Sequence, residues 1–202
     1  MKLYHAPQSR SIRPRWLLEE IAVPYELVRI DLMSGDQKRP DYLRLNPNGV
    51  VPTLVDGELV VYESGAICEY LADRFPEKRL APPVSSPARA HYYQWNYFAM
   101  CTLEPPAVAI FLHTAVRPET ERIPAVVDES RAQLVAALRV VEQALAGRPF
   151  MLGPDFTASD VMIGSTLWWA QLLGMVSGDL PNVSAYIGRV AGRGAFQRAS
   201  AD

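Results

Sequence analysis

Apolar and polar residues alternate with two different periods along this chain. In the first 80 residues the apolar runs are short. Residues 2–5 (Lys2-Leu3-Tyr4-His5) and 24–30 read as brief strands, and Trp16, Leu17, Leu18 and Ile21 between them fall at helical spacing. Proline is tolerated only in the first turn of a helix, where N–H groups lack partners. Pro14 therefore places the helix start near Ile12, with Ser11 as the natural cap and Ser9 left in the loop before it. The three elements form a βαβ unit. Asp56-Gly57 between apolar runs at 54–55 and 59–61 marks a hairpin. A helix capped by Ser64 follows over Ala66 to Ala72, and Phe75-Pro76 ends it.

After residue 75 the pattern changes. Pro82-Pro83-Val84-Ser85-Ser86-Pro87 has the composition of a linker. Helical periodicity dominates from Ala88 onward. Residues 88–114 read as one long helical stretch in which Pro105-Pro106 forces a kink or break. Residues 130–146 carry Leu134, Leu138, Val141 and Leu145 at helical spacing and stop at Gly147-Arg148-Pro149. Thr157 and Asp160 are spaced as a capping pair before a buried helix over 161–173. The expected domains are 1–80, α/β, and 87–202, all helical.

Composition narrows the function classes. The chain has 202 residues and a net charge of −2, which gives no reason to expect nucleic acid or an acidic membrane as partner. No uninterrupted apolar stretch is read as spanning a bilayer, and the first residues lack a signal-peptide pattern, so the expected location is cytoplasmic. Cys68 and Cys101 are expected reduced and buried. His5, His91 and His113 are scattered without metal-ligand spacing, and no metal is expected.

The candidate chemistry sits around Val51-Pro52 and Glu63-Ser64. Proline lacks an N–H and holds its predecessor extended, which leaves the Val51 backbone groups open to an extended peptide. By base rate alone Val51-Pro52 is trans, since only ~5–6% of X–Pro bonds are cis. A helix start at Ser64 offers N–H groups to a carboxylate, and Glu63 can pair with an amino group. The plain alternative is a helix cap beside a dipole-favoured acid.

Four segments in order carry a resemblance. They are Ser9-Arg10-Ser11-Ile12-Arg13 leading into Trp16-Leu17-Leu18-Glu19-Glu20, then Asn46-Pro47-Asn48-Gly49-Val50-Val51-Pro52-Thr53-Leu54, then Glu63-Ser64, then Phe156-Thr157-Ala158-Ser159-Asp160. On these the chain resembles the cytosolic glutathione S-transferases, as a serine-type member of bacterial or fungal kind. The resemblance implies a thioredoxin-like N-terminal domain (βαβ-α-ββα) joined to an all-α C-terminal domain, a homodimer, and a cis Pro52. It implies glutathione as co-substrate, with Val51 pairing its cysteinyl backbone and Glu63 and Ser64 holding its γ-glutamyl end. Ser9 then stands where the hydroxyl hydrogen-bonds the sulfur, with Ser11 as runner-up.

Two departures matter. Val50 stands where many relatives carry a lysine that grips the glycine carboxylate; Lys38, Arg39 and Arg10 are the candidate substitutes. No cysteine occupies 9–11, which argues against the cysteine-type members. The second substrate, a small hydrophobic electrophile, is expected between the domains. Tyr97, Phe98, Cys101, Phe111 and His113 are candidates for its wall, and Glu104 for reaching the partner's glutathione. The expected function is conjugation of glutathione to an electrophile, as in detoxification, or glutathione-dependent peroxide reduction. A binding or scaffold module without turnover is the alternative.

Overall fold

The computed structural model describes residues 1–201. The described residues form two compact units, 1–81 with 192–201, and 82–191. The last segment, read from sequence as part of the helical domain, therefore belongs to the N-terminal unit.

In that unit β1 (Lys2–His5), α1 (Ile12–Ile21) and β2 (Glu26–Arg29) form the βαβ motif. A short α2 (Pro40–Leu43), the hairpin β3 (Thr53–Asp56) and β4 (Leu59–Tyr62), and α3 (Ser64–Arg74) follow. The sheet order is β2-β1-β3-β4, with β1–β2 parallel and the other pairs antiparallel. This is the thioredoxin-like arrangement expected. The hairpin turns on Gly57-Glu58, where Gly57 takes a φ of +62° that L side chains rarely adopt.

Leu3 and Leu54 face each other on the two central strands, and both are fully buried. Trp16, Leu17, Leu18 and Ile21 of α1 and Ile67, Cys68 and Leu71 of α3 are equally buried. Each large apolar side chain buried this way contributes about 1.5–3 kcal/mol. The C-terminal helix α9 (Gly194–Ser200) closes the unit. Phe196 packs edge-on against Trp16, with ring centroids 4.8 Å apart. Arg193 forks onto the Glu20 carboxylate at 2.6 and 2.8 Å, and Arg198 Nε donates to Glu19 at 2.7 Å.

The second unit is helical: α4 (Ala88–Phe98), α5 (Glu104–Phe111), α6 (Pro124–Ala144), α7 (Ala158–Leu172) and α8 (Pro181–Ala191). Of the kink or break expected at Pro105-Pro106, the break is absent. Helical turns run from Ala88 to Val116, and the stretch widens to π geometry over Ala99–Leu103, where Glu104 N–H reaches Ala99 O. The wider turn lies where each proline ring would meet a carbonyl four residues back, so the helix continues. This helical run is long and apolar enough to cross a membrane by length and composition alone. It carries Asn96 and Glu104 buried within it, and it packs on α6 and α7.

α6 begins at Pro124, one to two turns before the expected 130, because proline is suited to a first turn. Thr157 and Asp160 form the capping box of α7. Asp160 accepts four hydrogen bonds, from Met151 N–H (2.8 Å), Tyr186 OH (2.9 Å), Thr157 N–H (2.8 Å) and Thr157 Oγ (3.0 Å). It therefore ties the loop before α7, the helix itself and α8 together.

Candidate functional site

The N-terminal unit brings three segments to one place: the loop from β1 to α1, the loop before β3, and the start of α3. Val51-Pro52 is cis, as the resemblance implied and against the base-rate expectation. The flanking chain is tied down firmly. Val50 O accepts from Tyr42 OH at 2.7 Å and Asn46 Nδ2 at 2.8 Å, and Tyr42 OH also meets Thr53 Oγ at 2.8 Å. The Val51 side chain is buried with Ala6, Ile30 and Tyr42. Among the described residues, the Val51 N–H and C=O have no hydrogen-bond partner.

Lys38 adjoins this loop. Its Nζ donates to Asn48 O at 3.3 Å and would stand 2.8 Å from a Cβ at Gly49. Gly49 has a φ of +59°, and the Gln37 carbonyl would lie 3.0 Å from the same Cβ, so only glycine fits. Arg39 is engaged instead with Asp36 and Asp41, at 3.6 and 3.9 Å. Arg10 is exposed, and Val50 is 49% exposed.

At the third segment the expected cap is not made. Ser64 is the first residue of α3, and Glu63 occupies the cap position with φ 73° and ψ 116°. A non-glycine residue there is strained, and such outliers cluster at ligand sites. Ser64 is buried, and its Oγ accepts from Arg13 Nη1 at 3.2 Å. Arg13, also buried, thus joins the start of α1 to the start of α3. Two helix N-termini and a guanidinium give this place a positive character suited to a carboxylate or thiolate. Glu63 is exposed beside it.

The two serines differ. Ser11 holds the N-cap position of α1 but makes no side-chain cap bond, which corrects the sequence expectation. It is fully buried, and its Oγ contacts Ala6 N (3.1 Å), Ala6 O (3.0 Å), His5 Nδ1 (2.8 Å) and Ser9 Oγ (2.6 Å). Ser9 is half-buried, with its Oγ 2.7 Å from Ala6 O and accepting from Ser11 N–H at 3.2 Å. It is not free in the loop, yet it is the hydroxyl that a ligand can reach. His5, read only as a strand end, stands behind Ser11 and meets Arg15 Nη1 at 3.2 Å through Nε2.

Sequence reasoning missed His5, Arg13 and Arg15. One signal was available: the first turn of α1 carries arginines and no acid, against the helix dipole. Cys68 is buried behind Arg13, and burial pushes its thiol up to about 12, so it is inert.

The other candidates lie in the helical unit. Tyr97 is 62% exposed, and Cys101, expected buried, is exposed. Phe98 packs edge-on to Trp95 and Phe111 to Trp169. His113 Nδ1 accepts from Ile123 N–H at 3.0 Å and lines an open cleft with Arg122, Asp128 and Arg131. Glu104, expected to reach a partner subunit, is instead enclosed by its own chain at 3% exposure. Among the described residues, no group of three or more His, Cys, Asp or Glu could hold a metal.

Comparison with known proteins agrees along the whole chain. Residues 1–73 match the family described as "Glutathione S-transferase, N-terminal domain", and residues 124–189 match "Glutathione S-transferase, C-terminal domain". A protein of Xanthomonas campestris pv. campestris named glutathione S-transferase GST-4.5 is 32% identical over 190 residues, covering 94% of this chain and 92% of the relative. The structure of BphK, a bacterial transferase solved as a ternary complex, superposes with a TM-score of 0.88 at 32% identity, covering 100% of this chain and 98% of the other. A sphingomonad glutathione S-transferase complexed with glutathione gives a TM-score of 0.87 at 28% identity, covering 100% and 98%.

Proposed function

The chain belongs to the cytosolic glutathione S-transferase superfamily, and from that premise we propose a serine-type enzyme in which Ser9 donates a hydrogen bond to the sulfur of bound glutathione. The enzyme is a transferase with glutathione as co-substrate. In this reading the Val51 N–H and C=O pair with the cysteinyl backbone of glutathione. Ser64, the α3 N-terminus and Glu63 receive the γ-glutamyl carboxylate and amine. Lys38, beside the Asn48-Gly49 loop, takes the glycine carboxylate in place of the lysine that position 50 lacks.

The chemistry is thiolate formation. An unperturbed thiol titrates near ~8.5, so little is ionised at neutral pH. Lowering that value by about two units needs ~2.7 kcal/mol of preference for the anion. A hydrogen bond to a charged group supplies about 1.5–3 kcal/mol. The single observation carrying the assignment is that Ser9 is reachable while Ser11 is fully buried. Ser9 acts as a donor and not as a nucleophile.

The reading extends to a homodimer in the cytoplasm that conjugates a small hydrophobic electrophile. Tyr97 and Cys101, both exposed, are the wall candidates best able to meet it. The relatives' names do not favour the non-catalytic module.

The test titrates the thiolate absorbance of bound glutathione in wild type and Ser9→Ala, alongside conjugation of chlorodinitrobenzene. Ser9→Ala is expected to bind glutathione still and to raise the bound thiol's pKa by about two units. An unchanged value would remove Ser9 from the role. Glutathione binding by the wild type without conjugation or peroxidase turnover would return the module reading.

A further inference from the structure

Beneath Ser9 lies a chain of polar contacts whose direction can be worked out atom by atom. It begins at Arg15, a buried guanidinium that can only donate. Its Nη1 lies 3.2 Å from His5 Nε2, so Nε2 must be the accepting nitrogen. A proton there would face an arginine N–H. His5 therefore carries its hydrogen on Nδ1 and donates it to Ser11 Oγ at 2.8 Å.

Ser11 Oγ has two lone pairs and one hydrogen. One lone pair takes Ala6 N–H at 3.1 Å and the other takes His5 Nδ1–H. The Ser11 hydrogen has two acceptors in reach, Ala6 O at 3.0 Å and Ser9 Oγ at 2.6 Å; the shorter contact takes it, because with both Ser11 lone pairs filled no other hydrogen can make that contact. Ser9 Oγ accepts that hydrogen and also Ser11 N–H, which fills its own lone pairs. Its single hydrogen rests on Ala6 O at 2.7 Å and is the one member of the chain able to turn toward a ligand.

We propose that Arg15, His5 and Ser11 are positioning residues that orient and polarise the Ser9 hydroxyl, so that its hydrogen alone faces a bound glutathione sulfur. This rests on the reading of Ser9 given above. Consecutive donors strengthen one another, by about 10–30% per bond. With the lone pairs of both serines filled, neither can take the thiol's proton, which leaves to water. The serine pair holds the anion and does not act as its base.

The charged and titratable groups facing this chain come from four elements. They are His5 on β1, Arg15 and Glu19 on α1, Tyr25 before β2 with Arg29 opposite His5 on β2, and Arg198 on α9, whose carbonyl takes Arg15 Nη2 at 3.3 Å. Burial and the bond to Glu19 push Tyr25 up to about 12. Burial pushes Glu19 up, but hydrogen bonds from Arg198 and Tyr25 outweigh it and leave the carboxyl below its usual value. Neither changes charge near neutrality.

The experiment is the bound-glutathione thiolate titration on Ser9→Ala, Ser11→Ala, His5→Leu and His5→Asn. Asparagine can place an N–H where Nδ1 stands; leucine cannot. The expected result is a rise of about half a unit to one unit for Ser11→Ala and His5→Leu, a three- to tenfold loss of thiolate below that pKa. Glutathione affinity stays unchanged at pH values below the bound thiol's pKa and falls by up to the same factor above it, and His5→Asn returns to the wild-type curve. A merely structural role would lower affinity or activity at every pH. Wild-type titrations from both Ser11→Ala and His5→Leu, with Ser9→Ala still shifted, overturn the relay and leave the Ser9 donor standing. No shift even in Ser9→Ala overturns both. Should His5→Leu fail to fold, Ser11→Ala decides alone.

Discussion

Asp160 offers a prediction whose magnitude follows from its hydrogen bonds. Its carboxylate is fully buried and takes two backbone N–H groups, Met151 on Oδ1 and Thr157 on Oδ2, each at 2.8 Å. Two hydroxyls, from Tyr186 and Thr157, complete the set. In Asp160→Asn one oxygen survives, and whichever way the amide turns, one of the two backbone donors faces an NH2 group. The hydroxyls can rotate, so they are left out of the sum. A buried donor without an acceptor costs about 1–3 kcal/mol. Burial pushes the carboxyl up from its usual range, so the amide also escapes part of the cost of a buried charge, and Asn should sit toward the low end. Asp160→Ala orphans both N–H groups, giving about 2–6 kcal/mol. Urea unfolding followed by tryptophan fluorescence reads the difference, since Trp95, Trp168 and Trp169 lie in the same unit. With a slope of about 2 kcal/mol per molar urea, the Asn midpoint should fall by roughly 0.5 M and the Ala midpoint by about 1–3 M. Equal midpoints for the two variants would refute the donor-by-donor argument, as would an Asn variant as stable as wild type.

Other expectations follow from the same geometry. Lys38→Ala should weaken glutathione binding about two- to fivefold, the scale of an exposed ion pair, and leave γ-glutamylcysteine binding unchanged; calorimetry with both ligands checks it. An aromatic disulfide reagent should label one thiol per native chain, Cys101, and two after denaturation, because Cys68 is buried with its thiol pushed up to about 12. Glu19 has its carboxyl below the usual value when folded, so its bonds to Arg198 and Tyr25 contribute stability above the unfolded pKa and lose it as pH falls through the folded one. Hydrogen-exchange protection factors over 194–200, taken relative to the intrinsic rate at each pH, should accordingly fall on acidification, and Glu19→Gln should flatten that dependence.

What the sequence made legible was local. Pro14 located the start of α1, Asp56-Gly57 the hairpin, and Thr157 with Asp160 the capping box, because each acts on neighbours within four residues. Contacts across long separations left no such mark. Arg193 and Glu20 are 173 positions apart, and Arg13 and Ser64 are 51 apart. Cys101 was misplaced for a different reason. It was expected inside because reduced cysteines are usually buried, and no local pattern marked the π turn over Ala99–Leu103 that holds this one exposed. Ser11 was misread because a serine before a helix is usually a cap, and here its oxygen is turned back to His5 and Ala6.

The arginines at the start of α1 show how a local misfit can point to a site. A cation near a helix N-terminus opposes the dipole, typically by about 0.3–1 kcal/mol. Two buried ones are retained because each has acceptors elsewhere: Ser64 Oγ for Arg13, His5 Nε2 and Arg198 O for Arg15. These acceptors hold the two guanidinium groups in place at the helix start. An anion arriving at the α1 N-terminus would meet that charge together with the helix dipole and the Ser9 hydrogen. A carboxylate at position 13 would suit the helix better and the ligand worse. Arg13→Glu should therefore lose glutathione binding, whereas Arg13→Gln, which can still donate to Ser64, should retain part of it. Equal binding by the two variants would mean that the charge at this helix start plays no part in holding the ligand.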